Sequence, residues 1–271
     1  ALKEEKFYGV QQEVASALGE SGGDVSRDAL IEGLKDKNPK VRRSCVDHLG
    51  KFRKDEKAVA AVKDVLAKGD ASYNVEAAAI SSYARLQPAD TVSVLMPWLV
   101  KPSHRDILRD SALQGLGNSQ DLSVTDTLIE WTKRGKPRSC RLAALRGLGQ
   151  LALKGNPNEE QRTKIVKAVS ECLEGEQPFV LNAAVSVLRD LGRSASTSLP
   201  ALEAIKLHDP SDRVRELAKN AIEQIHKNEQ APVEITRLRE EIETLKKSQE
   251  SLKEQLQKYE KKERKETPQG K

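Results

Sequence analysis

The segment Asn38-Pro39-Lys40-Val41-Arg42-Arg43-Ser44-Cys45-Val46-Asp47-His48-Leu49-Gly50 decides the fold. Pro39 suits the first turn of a helix, where its missing N–H is not needed, and it stops the preceding helix from running on. Val41, Cys45, Val46 and Leu49 fall at i, i+4, i+5 and i+8, one face of a helix. Gly50 marks the stop. The unit recurs along the chain. Its first apolar position, the anchor, returns as Val10, Val75, Leu108, Cys140, Val180 and Val214. Eight residues after each anchor stand Leu18, Leu49, Tyr83, Leu116, Leu148, Leu188 and Ile222. The residue four after the anchor reads Val14, Cys45, Ala79, Ala112, Ala144, Ala184 and Ala218, small enough for helices to pack closely. A glycine follows in four copies, Gly19, Gly50, Gly117 and Gly149. Anchors lie 31 to 40 residues apart, the span of a helix–turn–helix repeat.

Such an array escapes the size limit of a single core, because each unit packs only on its neighbours. Aromatics make up only 3% of the chain, as suits a stack of Ala/Leu/Val-rich helix pairs. The net charge of +5 is spread along the sequence and argues only weakly for nucleic acid. Three cysteines without C-x-x-C spacing make neither a disulfide framework nor a zinc ribbon. No apolar run approaches a membrane span. The chain opens at Ala1, without Met and inside a repeat, so the first repeat is read as truncated. Localisation is left open, cytoplasmic ahead of exported.

Outer helices are expected over Arg27–Leu34, Val59–Leu66, Thr91–Val100, Val124–Trp131, Arg162–Leu173 and Leu199–Ile205. Their inner partners are Val41–Phe52, Ser72–Leu86, His104–Gly117, Cys140–Leu151, Phe179–Leu191 and Arg213–His226. Pro97 should kink or shorten its helix. After the repeat region 1–226, residues 227–234 with Ala231-Pro232 read as a linker. Apolar spacing then becomes heptad over 235–262. Ile235, Ile242, Gln249 and Leu256 take position a; Leu238, Leu245, Leu252 and Tyr259 take position d. Ile at a with Leu at d favours a parallel pair, with Glu234–Arg239 and Glu241–Lys246 as interchain ion pairs. The alternative is a single helix folded back to cap the last repeat. Residues 263–271 are expected to be a disordered tail.

The D/N-P-x-V-R start and the A-x-x-A-L-x-x-L-G inner helix resemble HEAT-like repeats. Three stretches, Phe7–Gly19, Ser72–Ala79 and Ser103–Arg109, further resemble the C-terminal helical domain of aminopeptidase N-type zinc metallopeptidases. The resemblance implies a non-catalytic domain bordering the substrate chamber, with the zinc and its H-E-x-x-H motif in an upstream catalytic domain. No such motif occurs here: His48, His104, His208 and His226 precede Leu49, Arg105, Asp209 and Lys227. Catalytic and metal residues are therefore expected to be none in this chain.

Arg42, Arg109, Arg141 and Arg215 each follow an anchor and would line up as a ladder. It serves either as a concave basic stripe for acidic peptides or phosphates, or as inter-repeat ties. Asp36 and Asp209 precede Arg42 and Arg215 by six residues, which favours ties through Asp–Arg contacts. Cys45 and His48, at i and i+3, could meet a metal, but Cys45 stands at the small core position and no third or fourth ligand is near in sequence, so the pair reads as structural. Cys140 and Cys172 read as small apolar residues. Trp98 and Trp131 read as helix-end packing ahead of base-stacking platforms. The aromatics Phe7–Tyr8, Tyr73 and Phe179 before inner helices read as staples.

The expected fold is all-α: an α-solenoid, a superhelix of seven HEAT-like helix pairs, followed by a coiled-coil helix. Three functions stay open. One is the C-terminal part of a zinc aminopeptidase, docked on its catalytic domain. The second is a free-standing scaffold for a protein or peptide partner. The third, weakest, is a helical-repeat DNA glycosylase, which the near-balanced charge disfavours. A homodimer through the coil accompanies the first two; no membrane partner is expected.

Overall fold

The computed structural model describes residues 7–227, together with Glu5 and the isolated positions Ile242, Leu245, Lys246 and Gln249. Among the described residues every regular element is a helix. They are α1 (Tyr8–Ser21), α2 (Gly23–Gly33), α3 (Pro39–Leu49), α4 (Glu56–Lys68), α5 (Tyr73–Leu86), α6 (Thr91–Leu95), α7 (Ile107–Asn118), α8 (Thr125–Thr132), α9 (Arg138–Lys154), α10 (Glu159–Ser170), α11 (Pro178–Leu191), α12 (Leu199–His208) and α13 (212–227). The odd-numbered helices α1 to α11 stack on one another in sequence and form the inner layer. The even-numbered ones pack outside them, and α13 carries the last anchor, Val214.

Local chemistry starts these helices. Asn38 accepts a hydrogen bond from the Lys40 amide at 3.0 Å, with Pro39 behind it as the first helical residue. Asp55 caps α4 through the Ala58 amide at 2.9 Å. Asn158 and Gln161 make a reciprocal capping box on α10. Pro97 ends the fourth outer helix early: α6 stops at Leu95, and Met96–Leu99 continues as a tighter 3-10 turn.

The anchors and their partners form the core. Val41, Leu108, Cys140 and Val180 are fully buried, as are Leu49, Tyr83, Leu116, Leu148 and Leu188. The small position is closed from the second unit onward, where Cys45, Ala79, Ala112, Ala144, Ala184 and Ala218 have no exposure, while Val14 in the first unit is half-buried. Val10 departs from the rule, 44% exposed at the N-terminal end of the described stack.

Three details differ from the sequence reading. The fourth inner helix begins at Ile107 and not at His104. Arg105 and Asp106 take left-handed backbone conformations (φ 54° and 57°), which break the helix before it starts. The glycines after the repeated pattern do not mainly end helices: Gly19, Gly117 and Gly149 lie within α1, α7 and α9. They permit close approach. A Cβ on Gly117 would lie 2.2 Å from the Cα of Gly147, so α7 and α9 meet backbone to backbone there. The aromatics before inner helices pack unevenly: Tyr8 lies partly buried against the core, while Phe7, Tyr73 and Phe179 are 60%, 46% and 61% exposed. The coil, its linker and the tail lie outside the described residues, except Lys227, which continues α13 at the expected start of the linker, and Ile242, Leu245, Lys246 and Gln249.

Gly117→Ala should therefore destabilise the array. The methyl group meets backbone that cannot rotate aside, an overpacking of about 1–3 kcal/mol. The gain in helix propensity, about 1 kcal/mol, offsets only part of it. A lower unfolding midpoint, with faster amide exchange confined to α7–α9, is the expected result; an unchanged midpoint would show that the two helices can separate freely.

Candidate functional site

The ladder arginines fall into two groups. Arg42 donates from Nε and Nη2 to both carboxylate oxygens of Asp70, each at 2.8 Å. Arg141 grips Glu176 in the same two-pronged way at 2.8 and 2.7 Å, and also donates to the Thr132 carbonyl at 2.7 Å. Both acids stand in the loop that opens the next inner helix, so each arginine ties one repeat to the next. Arg109 and Arg215 stay within their own repeats. Arg109 donates to Asp106 at 2.7 Å and to the Leu99 carbonyl at 3.0 Å. Arg215 donates to the Asp209 carbonyl at 2.6 Å and pairs with Asp212. The reason is composition: the loop ahead of α9, Lys133-Arg134-Gly135-Lys136-Pro137, offers Arg109 no carboxylate. The six-residue Asp–Arg spacing also acts differently than expected. Arg42 meets the main-chain carbonyl of Asp36, at 2.8 Å, while the Asp36 carboxylate caps the Asn38 amide.

One tie escaped the sequence reading. After the anchor Val75 comes Glu76, not arginine. It is 2% exposed, and Lys101 donates to its carboxylate at 2.8 Å from the next repeat's loop. The signal was available, an acid at the ladder position with a lysine at the start of the next loop. A further tie uses an outer helix: Arg27 bridges Asp24 and Asp55 at 2.6 and 2.7 Å.

The other singled-out residues sit in packing roles. Cys45, Cys140 and Cys172 are buried free thiols. Burial pushes Cys45 up to about 12 and Cys140 up to about 11, so neither is a thiolate at neutral pH. His48 Nδ1 lies 2.7 Å from the Ser44 carbonyl of its own helix. Among the described residues no group of His, Cys, Asp and Glu is arranged to hold a metal ion. Trp98 is 7% exposed, with the Lys101 ammonium over its ring, and Lys136 lies over Trp131. Neither ring is a free stacking platform.

Two hollows open on the inner helices. One, of about 610 Å³, is lined by Tyr73, Asn74, His104, Arg105, Ile107 and Asp110. Burial raises the Asp110 carboxyl above its usual range, against the hydrogen bond from Gln114 and the charge of Arg146. The other, of about 420 Å³, runs across α9, α11 and α13. Leu142, Leu153, Phe179 and Val187 supply its apolar lining; Arg146, Gln150, Asn182, Ser186, Asp190 and Arg213 supply its polar groups.

The profile of HEAT repeats matches residues 1–81 and 125–223. The chain belongs to the HEAT-repeat family. The stretch between the two matches holds the irregular fourth unit, where Pro97 shortens the outer helix and Arg105–Asp106 delays the inner one. Among solved structures, the archaeal HEAT-like repeats protein from Thermococcus onnurineus NA1 is similar at 15% identity. The match covers 80% of this chain and 93% of that one, with a TM-score of 0.50. A designed armadillo repeat protein matches at 17% identity over 73% of this chain and 98% of its own, TM-score 0.45. Kap121p bound to Nup53p matches at 17% over 83% of this chain and 28% of its own, TM-score 0.46. Identity this low speaks for the HEAT-type fold alone. No curated protein matches the chain. No helix among the described residues is long and apolar enough to cross a membrane.

The HEAT-repeat ties have a pH signature. Hydrogen bonding to Arg42 holds the Asp70 carboxyl below its usual range, and Arg141 does the same for Glu176. A carboxylate with a depressed folded pKa stabilises above its unfolded value and loses that contribution as pH falls through the folded one. Asp70→Asn and Glu176→Gln should each lower stability at pH 7 by about 1–3 kcal/mol, below the full value of a buried pair because water reaches part of each. Chemical denaturation repeated below about pH 4, the ordinary carboxylate range, should find the gap to wild type closing. A gap of constant size would mean that charge plays no part in the ties.

Proposed function

We propose that the chain is a non-catalytic HEAT-repeat scaffold that binds a protein partner on the surface of its inner helices. The observation that carries this is the groove across α9, α11 and α13, where polar and apolar groups are left facing outward. The ladder that sequence patterning offered as a binding stripe is instead occupied with intramolecular partners at all four arginines. Placing a photo-crosslinking residue at Ser81 or Gln114 on inner helices, and at Lys63 or Glu160 on outer ones, tests the reading in cells. Discrete crosslinked species from the inner positions alone are expected. Crosslinks from the outer positions alone would reverse the assignment.

The narrower reading makes the solenoid the C-terminal part of a zinc aminopeptidase, where it borders the substrate chamber. It is supported by the three sequence stretches quoted above, while the matched profile speaks for the repeats alone. Zinc would then belong to the upstream domain. An H-E-x-x-H motif in the same reading frame upstream of Ala1 selects this form of the scaffold.

The heptad segment is proposed to pair with a second copy. The support is its a/d pattern together with the exposure of Ile242 and Leu245, 53% and 69% among the described residues. Sedimentation equilibrium should show a concentration-dependent dimer that Leu245→Pro abolishes. A monomer at every concentration would leave the segment to some other role.

A further inference from the structure

We propose that the groove across α9, α11 and α13 recognises an acidic peptide segment of a partner protein, one that also presents an apolar side chain. This rests on the scaffold reading and gives that surface its ligand chemistry.

Charge is the first observation. Arg27, Arg42 and Arg141 are engaged by carboxylates that hold the repeats together. Arg146 and Arg213 line the groove without a hydrogen bond or ion pair among the described residues. Arg146 acts on Asp110 through space alone. The groove's own carboxylate, Asp190, is held by Arg189 at 2.9 Å. Arg138 adds a third cation at the rim, stacked over the Phe179 ring at 4.9 Å. The groove therefore offers guanidiniums whose preferred partners are planar carboxylates.

Hydrogen bonding is the second. Gln150 Oε1 and Asn182 Oδ1 are shielded from water and accept nothing. Unpaired acceptors of this kind are destabilising, and a ligand that brings N–H donors relieves them once the side-chain amides, which line the groove, turn toward it. A peptide backbone supplies such donors. Were either amide turned the other way, the backbone carbonyls would serve equally. A peptide is favoured over a nucleic acid because the net charge of +5 is spread along the chain and the groove holds a carboxylate of its own, Asp190, so no strong basic field meets a phosphate backbone.

The third is shape. Phe179 at the start of α11 and Leu153 near the end of α9 are 61% and 51% exposed, with Leu142 and Val187 between them. Apolar surface beside unpaired polar groups is what a mixed acidic–apolar segment covers. Three inner helices at about 10 Å spacing are crossed by about six to eight extended residues.

The test is selection of an unbiased decapeptide display library on the full chain, followed by fluorescence anisotropy with the best peptide. Selected sequences should be enriched in Asp and Glu beside Leu or Phe. The combined Arg146→Glu and Arg213→Glu change should weaken binding about tenfold or more, with circular dichroism unchanged. Asn182→Leu should weaken binding while leaving the melting temperature equal or higher, which a purely structural asparagine would not do. Neutral or basic selected sequences, no enrichment, or unaltered affinity of the double variant would overturn the proposal. So would tighter binding of an oligothymidylate than of the peptide. Displacement of the selected peptide by a synthetic copy of residues 234–262 at a lower concentration than unlabelled peptide requires would also overturn it, by making the chain's own segment the occupant. Crosslinking through Gln114 that persists in the double variant would remove this ligand assignment and leave the scaffold reading standing.

Discussion

Everything in this chain depends on one packing constraint: inner helices must lie against each other closely enough that a methyl-sized side chain fills the gap. Ala79, Ala112, Ala144, Ala184 and Ala218, with Cys45 in the second unit, occupy that place and exclude all water. At Gly117 and Gly147 the constraint reaches its limit, with backbone on backbone. A larger residue at any of these positions would push neighbouring repeats apart, and each repeat has no other core to fall back on. Close approach also brings large apolar partners such as Leu49, Tyr83, Leu116 and Leu148 into full burial. The hydrophobic stabilisation thus follows from the small residues as much as from the large ones.

Packing alone leaves the angle between repeats loosely defined, and the ties supply direction. Arg42–Asp70, Glu76–Lys101 and Arg141–Glu176 occupy the same place in successive or nearby units. The polarity of the middle one is reversed. What recurs is therefore a buried charge-assisted contact from the residue after the anchor to the next loop, and not arginine as such. Where the next loop lacks an acid, Arg109 turns back on Asp106. Where the position holds Leu181, 7% exposed, a buried apolar side chain stands in place of the charge. One-sided loss of such a pair strands its partner, which makes the ties more sensitive to single substitutions than the exposed pairs scattered over the outer helices.

This separates what was legible in the sequence from what was not. Apolar period and small-residue position survive in any one copy, so the repeat, the layer order and the core could be read from residues such as Val41, Cys45 and Leu49. Pro97 announced its broken helix. The ties were half legible, because a ladder of like residues is visible in a sequence while a reversed pair such as Glu76–Lys101 is visible only once both partners are placed. The glycines were misread for a physical reason. A glycine that ends a helix and one that lets two helices touch look identical in sequence, and only the neighbouring chain tells them apart. The left-handed turn at Arg105–Asp106 carried no glycine or asparagine to signal it.

The groove was the least legible feature, since it is defined by what its residues lack. Arg146 and Arg213 are unremarkable in sequence, and neither stands at the ladder position. Their availability follows from the logic of the ties: a repeat array whose anchor-adjacent arginines are all engaged within the chain, between repeats at Arg42 and Arg141 and within them at Arg109 and Arg215, must place its recognition groups elsewhere on the inner helices. In α9 the division falls within a single helix. Arg141, near its start, serves the array, and Arg146, five residues on, faces the groove. Gln150, just over one turn further, holds a shielded amide oxygen with no donor. A helix that holds its neighbour with one arginine and offers another outward can change its ligand without loosening the stack, because the two tasks use different residues of the same turn sequence.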